Sequence, residues 1–196
     1  MAANAESGDG RHGRFRRLAP WAISALMLLL PLIAMQVTDE VDWNLADFGV
    51  FGAMLFVACG AYESAARAEG DFTYRAAVGV AVVTAFVLVW LNLAVGILGS
   101  ENDPANLMYG GVLAAGLLCA LVVRFRAHGM ARALVVTALA QTLVGVIALT
   151  AGSEPIGGNR PGAIVALTGF FASSWLLSAW LFRKAARGQT SADAAL

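Results

Sequence analysis

The sequence is short of charge, of cysteine and of histidine, and each shortage removes a class of protein. Charged residues make up 13% of the chain, where a soluble domain carries about a quarter. With 59% hydrophobic residues and a mean hydropathy of +0.72, a membrane protein is the expectation. The formal net charge is zero, which gives no ground for a nucleic-acid partner. The two cysteines, Cys59 and Cys119, fall inside apolar runs with no CxxC or Cys/His spacing around them, so neither a disulfide framework nor a zinc site is indicated. The two histidines, His12 and His128, lie near arginines and outside the apolar runs, which leaves no ligands for a haem held between helices. No Walker, Rossmann or HExxH pattern occurs. Ser173, Ser174 and Ser178 lack a His or Lys partner at comparable depth, which argues against an intramembrane serine protease. No catalytic residue, metal or cofactor is expected, and the chain reads as a non-enzyme.

What the chain has instead is long apolar runs. A hydrocarbon core about 30 Å thick needs roughly 17 to 25 helical residues. Six runs meet this: Leu18–Gln36, Phe48–Ala66, Ala76–Gly99, Leu107–Val123, Ala133–Ala151 and Ala163–Phe182. The first resembles a signal-peptide core because a basic segment precedes it, but it is long enough to span and LIAMQ offers no small-residue cleavage site. The expected architecture is an all-α bundle of six transmembrane helices. Residues 1–17 form a basic tail expected to be disordered, 18–187 the transmembrane domain, and 188–196 a short C-terminal tail.

The distribution of charge orients the spans. Arg11, Arg14, Arg16, Arg17, Arg67, Arg75, Arg124, Arg126, Arg132, Arg183, Lys184 and Arg187 fall on one side, and Arg160 alone on the other. Arginine and lysine are retained on the cytoplasmic side of bacterial membranes, so both termini are expected in the cytoplasm of a bacterial inner-membrane protein. The opposite loops carry Asp39, Glu40, Asp42, Asp47, Glu101, Asp103 and Glu154. Turn residues agree with the boundaries. Asn44 to Asp47 resembles a capping box opening the second helix, Asp103-Pro104 places a capping carboxylate before the fourth, and Arg160-Pro161 marks the sixth. Trp21, Tyr62, Tyr74, Tyr109 and Trp180 are expected at the membrane interfaces. Val82–Ala85 recurs as Val135–Ala138, and Gly99–Glu101 as Gly152–Glu154. The shared offset of 53 residues raises a parallel repeat of spans three and four in spans five and six, against the background of chance among apolar helices.

The candidates for chemistry are few. Thr84, Leu88, Asn92 and Gly96 share one face of the third helix, and Gln141 lies at similar depth in the fifth with Thr137 and Gly145. A buried amide facing lipid lacks partners, so an Asn92–Gln141 contact is expected, either as a packing contact between helices or as a mid-membrane substrate site. Glu63 is the one carboxylate within a span and a candidate ionisable site, with an interfacial ion pair to Arg67 as the simpler reading. Glu101, Asp103 and Glu154, with Asn102, Asn106 and Asn159, offer oxygen ligands at an external mouth, although capping and an acidic outer face account for them without a metal. Gly111, Ala115 and Cys119, and Gly49 and Ala53, are small-residue stripes suited to close helix approach.

Across WLNLAVGILGSENDPANLMYGGVLAAG, RFRAHGMARALVVTALAQTLV and LTGFFASSWLLSAWLFRKAA, and in the first hairpin at MQVTDEVDWNLADF, the chain resembles a family of small bacterial integral membrane proteins of unassigned function. GSENDPANLMY is its distinctive part. The resemblance implies a bacterial polytopic membrane protein and no particular activity. The expected role is a structural or accessory component of the inner membrane, in contact with lipid and with a second copy or another membrane protein. The alternative is a small-solute or ion transporter using Asn92 and Gln141, and an intramembrane enzyme has least support.

Overall fold

A computed structural model describes residues 6–38, 41–68, 71–99, 103–151 and 161–193. They form six helices: α1 (Glu6–Val37), α2 (Leu45–Ala68), α3 (Phe72–Ala94), α4 (Leu107–Val122), α5 (Ala127–Thr150) and α6 (Pro161–Asp193), with a 3-10 turn at Pro104–Asn106 before α4. All six are long and apolar enough to cross a membrane. The protein is therefore an all-α, multi-pass membrane protein. Large apolar side chains such as Leu26, Phe56, Val83, Leu118, Leu139 and Leu176 point outward. In water they would be an aggregation hazard, whereas lipid solvates them.

Helix ends depart from the apolar runs where hydrogen bonding, not hydropathy, decides them. α1 begins at Glu6, so the basic tail expected to be disordered is helical from that residue; a helix already nucleated by a span extends at little cost into arginine-containing sequence. α6 likewise continues through Asp193. α3 starts four residues early because Asp71 accepts the Tyr74 N–H at 3.3 Å, and α5 starts at Ala127, ahead of its apolar run. At the other end α3 stops at Ala94, five residues before the expected Gly99. Gly96 takes a φ of 73°, a region that costs glycine little, and turns the chain out of the helix. The capping predictions at Asn44 and Asp103 hold, while Arg160 lies outside the described residues. Asn44 Oδ1 accepts from Ala46 N and Asp47 N at 2.7 and 3.2 Å, while Asn44 N donates to Asp47 Oδ2 at 2.8 Å, the reciprocal pattern of a capping box. Asp103 Oδ1 accepts from Ala105 N at 2.8 Å, with Pro104 in the first turn.

The chain divides into two compact units, residues 1–64 and 65–196. In the first, Phe51, Leu55 and Cys59 are buried at every fourth position of α2, the period that lines one helix face. Leu28 packs on Gly52, Trp21 meets the edge of Phe56, and Trp43 lies edge-on to Phe48 and Phe51.

In the second unit α6 packs along both α5 and α3, and α4 packs along α5, whereas α3 and α4 touch only lightly. The two hairpins raised as a repeat are thus packed differently. The α4–α5 and α5–α6 contacts use the same device: a threonine seated over a glycine. A Cβ at Gly116 would come within 2.8 Å of Thr137 Oγ1, and one at Gly145 would collide with Thr168 Oγ1. Without a hydrophobic driving force between helices in lipid, such close backbone approach supplies the packing energy. Ser178 Oγ on α6 donates to Ala77 O on α3 at 2.7 Å, fully buried. Tyr74 and Tyr109, each in the first turn of its helix, are buried inside this unit. Tyr74 is held there because its hydroxyl finds a backbone acceptor, Phe125 O, at 2.8 Å. Trp180 is exposed.

Candidate functional site: the polar groups within the spans

The break after α3 exposes backbone polar groups inside an apolar run, and such groups need partners at membrane depth. Asn106 supplies them. Its Oδ1 accepts from Ile97 N and Leu98 N at 3.0 and 2.9 Å, and its Nδ2 donates to Leu98 O at 3.0 Å. Asn106, Ile97 and Leu98 are all buried. One amide thus satisfies both main-chain groups of Leu98 and the N–H of Ile97, fixing a short non-helical segment between α3 and α4. The sequence reading placed Asn106 among possible cation ligands. The signal for its actual place was a glycine interrupting an apolar run about ten residues before a second amide.

Asn92, one turn before that break, turns back on its own helix: its Nδ2 donates to Leu88 O at 2.8 Å. That bond fixes the amide's orientation, because only nitrogen can donate to a carbonyl. Oδ1 is left buried with no hydrogen-bond partner among the described residues. Gln141, at 1% exposure in the middle of α5, likewise leaves Oε1 without one. No hydrogen bond therefore joins Asn92 and Gln141, between which a contact is expected from the sequence. The reason is the helix arrangement. Among the described residues α3 and α5 share no extensive packing, and α6 engages both. Two further orphans lie on α6, Thr168 Oγ1 and Trp175 Nε1, and neither was anticipated. Thr168 sits over Gly145, one turn from Gln141 on the same face of α5.

Thr84 and Thr137 hydroxyls donate to Val80 O and Ala133 O at 2.7 and 3.0 Å. Thr142 and Ser174 bond back in the same way. These side chains are used within their own helices and present no free donor.

In the first unit Glu63 accepts from Trp21 Nε1 at 3.2 Å. One turn away Ser24 Oγ lies 2.9 Å from Cys59 Sγ and donates to Pro20 O at 3.0 Å. A polar seam thus joins α1 and α2 near the arginine-rich end, and an indole partner for the carboxylate was not foreseen. Of the proposed external mouth, Glu101 and Glu154, with Asp39, Glu40, Asn102 and Asn159, lie outside the described residues. Asp103 serves as a helix cap. No group of three His, Cys, Asp or Glu suited to a metal occurs among the described residues.

Comparison with known proteins returns no relative. No family model, curated protein or solved structure matches this chain. The functional reading rests on the residues themselves.

Proposed function

We propose that the protein is a bacterial inner-membrane component with both termini in the cytoplasm, acting without catalysis as a structural or accessory subunit. The observation that carries this reading is how the spans use their polar side chains. Thr84, Thr137 and the Asn92 amide nitrogen bond to carbonyls of their own helices, Asn106 to the adjoining backbone, and Ser178 to a neighbouring helix. These bonds build and join helices. No nucleophile is paired with a base among them, which is what an intramembrane enzyme requires. The distribution of arginine and lysine supports the orientation. The accessory role needs a partner: another membrane protein or a second copy of the chain.

A second reading is favoured by one specific observation. Asn92 Oδ1 and Gln141 Oε1 are buried acceptors without donors among the described residues, and a small polar solute or cation crossing the membrane would supply what they lack. The experiment that separates the two uses the full chain in proteoliposomes. Stopped-flow shrinkage under glycerol and urea gradients, with dye-reported sodium and proton entry, is compared for the wild type and Asn92→Leu. The accessory reading predicts background flux from both. Flux from the wild type that Asn92→Leu abolishes would establish transport instead.

A further inference from the structure

The tight turn between α4 and α5 holds an unusual backbone. Arg124 and Phe125 have φ values of 54° and 56°, the left-handed region that non-glycine residues enter only against steric cost. The hydrogen bonds identify the motif. Phe125 N donates to Ala120 O at 3.1 Å and Arg124 N to Leu121 O at 3.0 Å, the paired bonds of a Schellman C-cap. Arg124 therefore occupies the position that glycine fills most cheaply. A strained residue retained where glycine would relieve it points to a use for its side chain, and both Arg124 and Phe125 are exposed.

What surrounds the turn indicates the use. Tyr74 is a buried hub: its hydroxyl donates to Phe125 O at 2.8 Å, and its ring lies 5.1 Å from that of Phe182. Each residue of this contact has an arginine beside it in sequence, namely Arg75, Arg124 with Arg126, and Arg183. The hub thus gathers four guanidinium-bearing positions from α3, the turn and α6 at one end of the second unit. None has a carboxylate partner among the described residues. Guanidinium groups match phosphate oxygens in geometry and charge. The same patch is apolar: Val122 and Phe125 are 81% and 45% exposed, and exposed Trp180 lies under Lys184 Nζ at 5.7 Å. Cations beside exposed apolar groups suit a ligand with a phosphate head and acyl chains better than a free anion.

We propose that Arg75, Arg124, Arg126 and Arg183, assembled around Tyr74, form a binding site for the phosphate of an anionic phospholipid. Arg124 accepts a strained backbone in order to present its guanidinium there.

The test uses the full chain in nanodiscs of phosphatidylcholine alone or mixed with phosphatidylglycerol, reading the thermal unfolding midpoint. Phosphatidylglycerol raises the midpoint of the wild type. Arg124→Gly, which suits the left-handed backbone, raises the midpoint in phosphatidylcholine while losing more than half of the phosphatidylglycerol increment. Arg183→Gln loses a comparable share, and Arg132→Gln, an exposed charge of α5 that adjoins none of Tyr74, Phe125 and Phe182 in sequence, keeps the increment. The proposal is overturned if Arg124→Gly retains the full increment, or if Arg132→Gln loses as much as the hub variants, since the effect would then be bulk surface charge. It is equally overturned if inorganic phosphate reproduces the increment in phosphatidylcholine discs, because the ligand would then be a soluble anion.

Discussion

Asn106 and Leu98 exchange two hydrogen bonds, Leu98 N to Oδ1 at 2.9 Å and Nδ2 to Leu98 O at 3.0 Å, so one side chain takes the place of a missing turn of helix. Asn106→Ala strands both of these groups and the Ile97 N–H in a buried setting. Each unsatisfied group costs about 1 to 3 kcal/mol, so the variant should lose about 3 kcal/mol or more. Reversible unfolding in mixed detergent micelles measures this. Wild-type stability in Asn106→Ala would mean that the segment finds other partners.

The contact between Gly145 and Thr168 sets the spacing of α5 and α6. Gly145→Ala introduces a methyl group into the space of Thr168 Oγ1, and overpacking of this kind costs about 1 to 3 kcal/mol. Thr168→Ala removes the obstructing atoms. The double variant should therefore recover most of the loss, giving a coupling energy of about 1 kcal/mol or more in a double-mutant cycle. Additive losses would show that the two residues do not meet.

Much of the fold was legible because the bilayer imposes a length rule. Six runs of sufficient apolar length give six helices, and the caps at Asn44 and Asp103 fall where their side chains predict. Helix ends were misjudged where charge interrupts hydropathy without interrupting hydrogen bonding, as at Arg75 and Arg132, which lie inside α3 and α5. The α3 break was illegible for the opposite reason. Ile97 and Leu98 are as apolar as any helical residue, and only the distant amide of Asn106 stabilises their departure from the helix. The face of α3 that bears Thr84, Leu88 and Asn92 packs inward at Thr84 and Leu88, which are buried. Which helix it would meet was beyond the sequence, because apolar packing is non-directional and α6 serves α3 as well as α5.

Gln141 Oε1 is buried without a donor among the described residues, so removing it should cost nothing. Gln141→Met, similar in shape and apolar, is expected to be neutral or to gain about 1 kcal/mol, since the desolvation penalty of an unpaired acceptor disappears. Unfolding in phosphatidylcholine bicelles is the check. A loss of about 1 kcal/mol or more would reveal a donor at Oε1 and remove the observation on which the transport reading rests.

Ser178 gives the opposite expectation. Its hydroxyl bridges α6 to Ala77 O on α3, and cross-helix bonds in membranes contribute about 0.6 kcal/mol on average, with about 1.7 at most. Ser178→Ala should lower stability by an amount in that range. A gain in stability would show that the bond is not made.

The central claim is that the buried amides of the spans are not the working part of the protein, which acts through association. Its most direct test is the native mass of the particle extracted in membrane-derived polymer discs, for the wild type and for the double variant Asn92→Leu, Gln141→Met. The account predicts one particle for both, heavier than the 20.4 kDa chain by a fixed stoichiometric partner or further copies of itself. A lone 20.4 kDa chain from the wild type, or a partner lost only from the double variant, would contradict it.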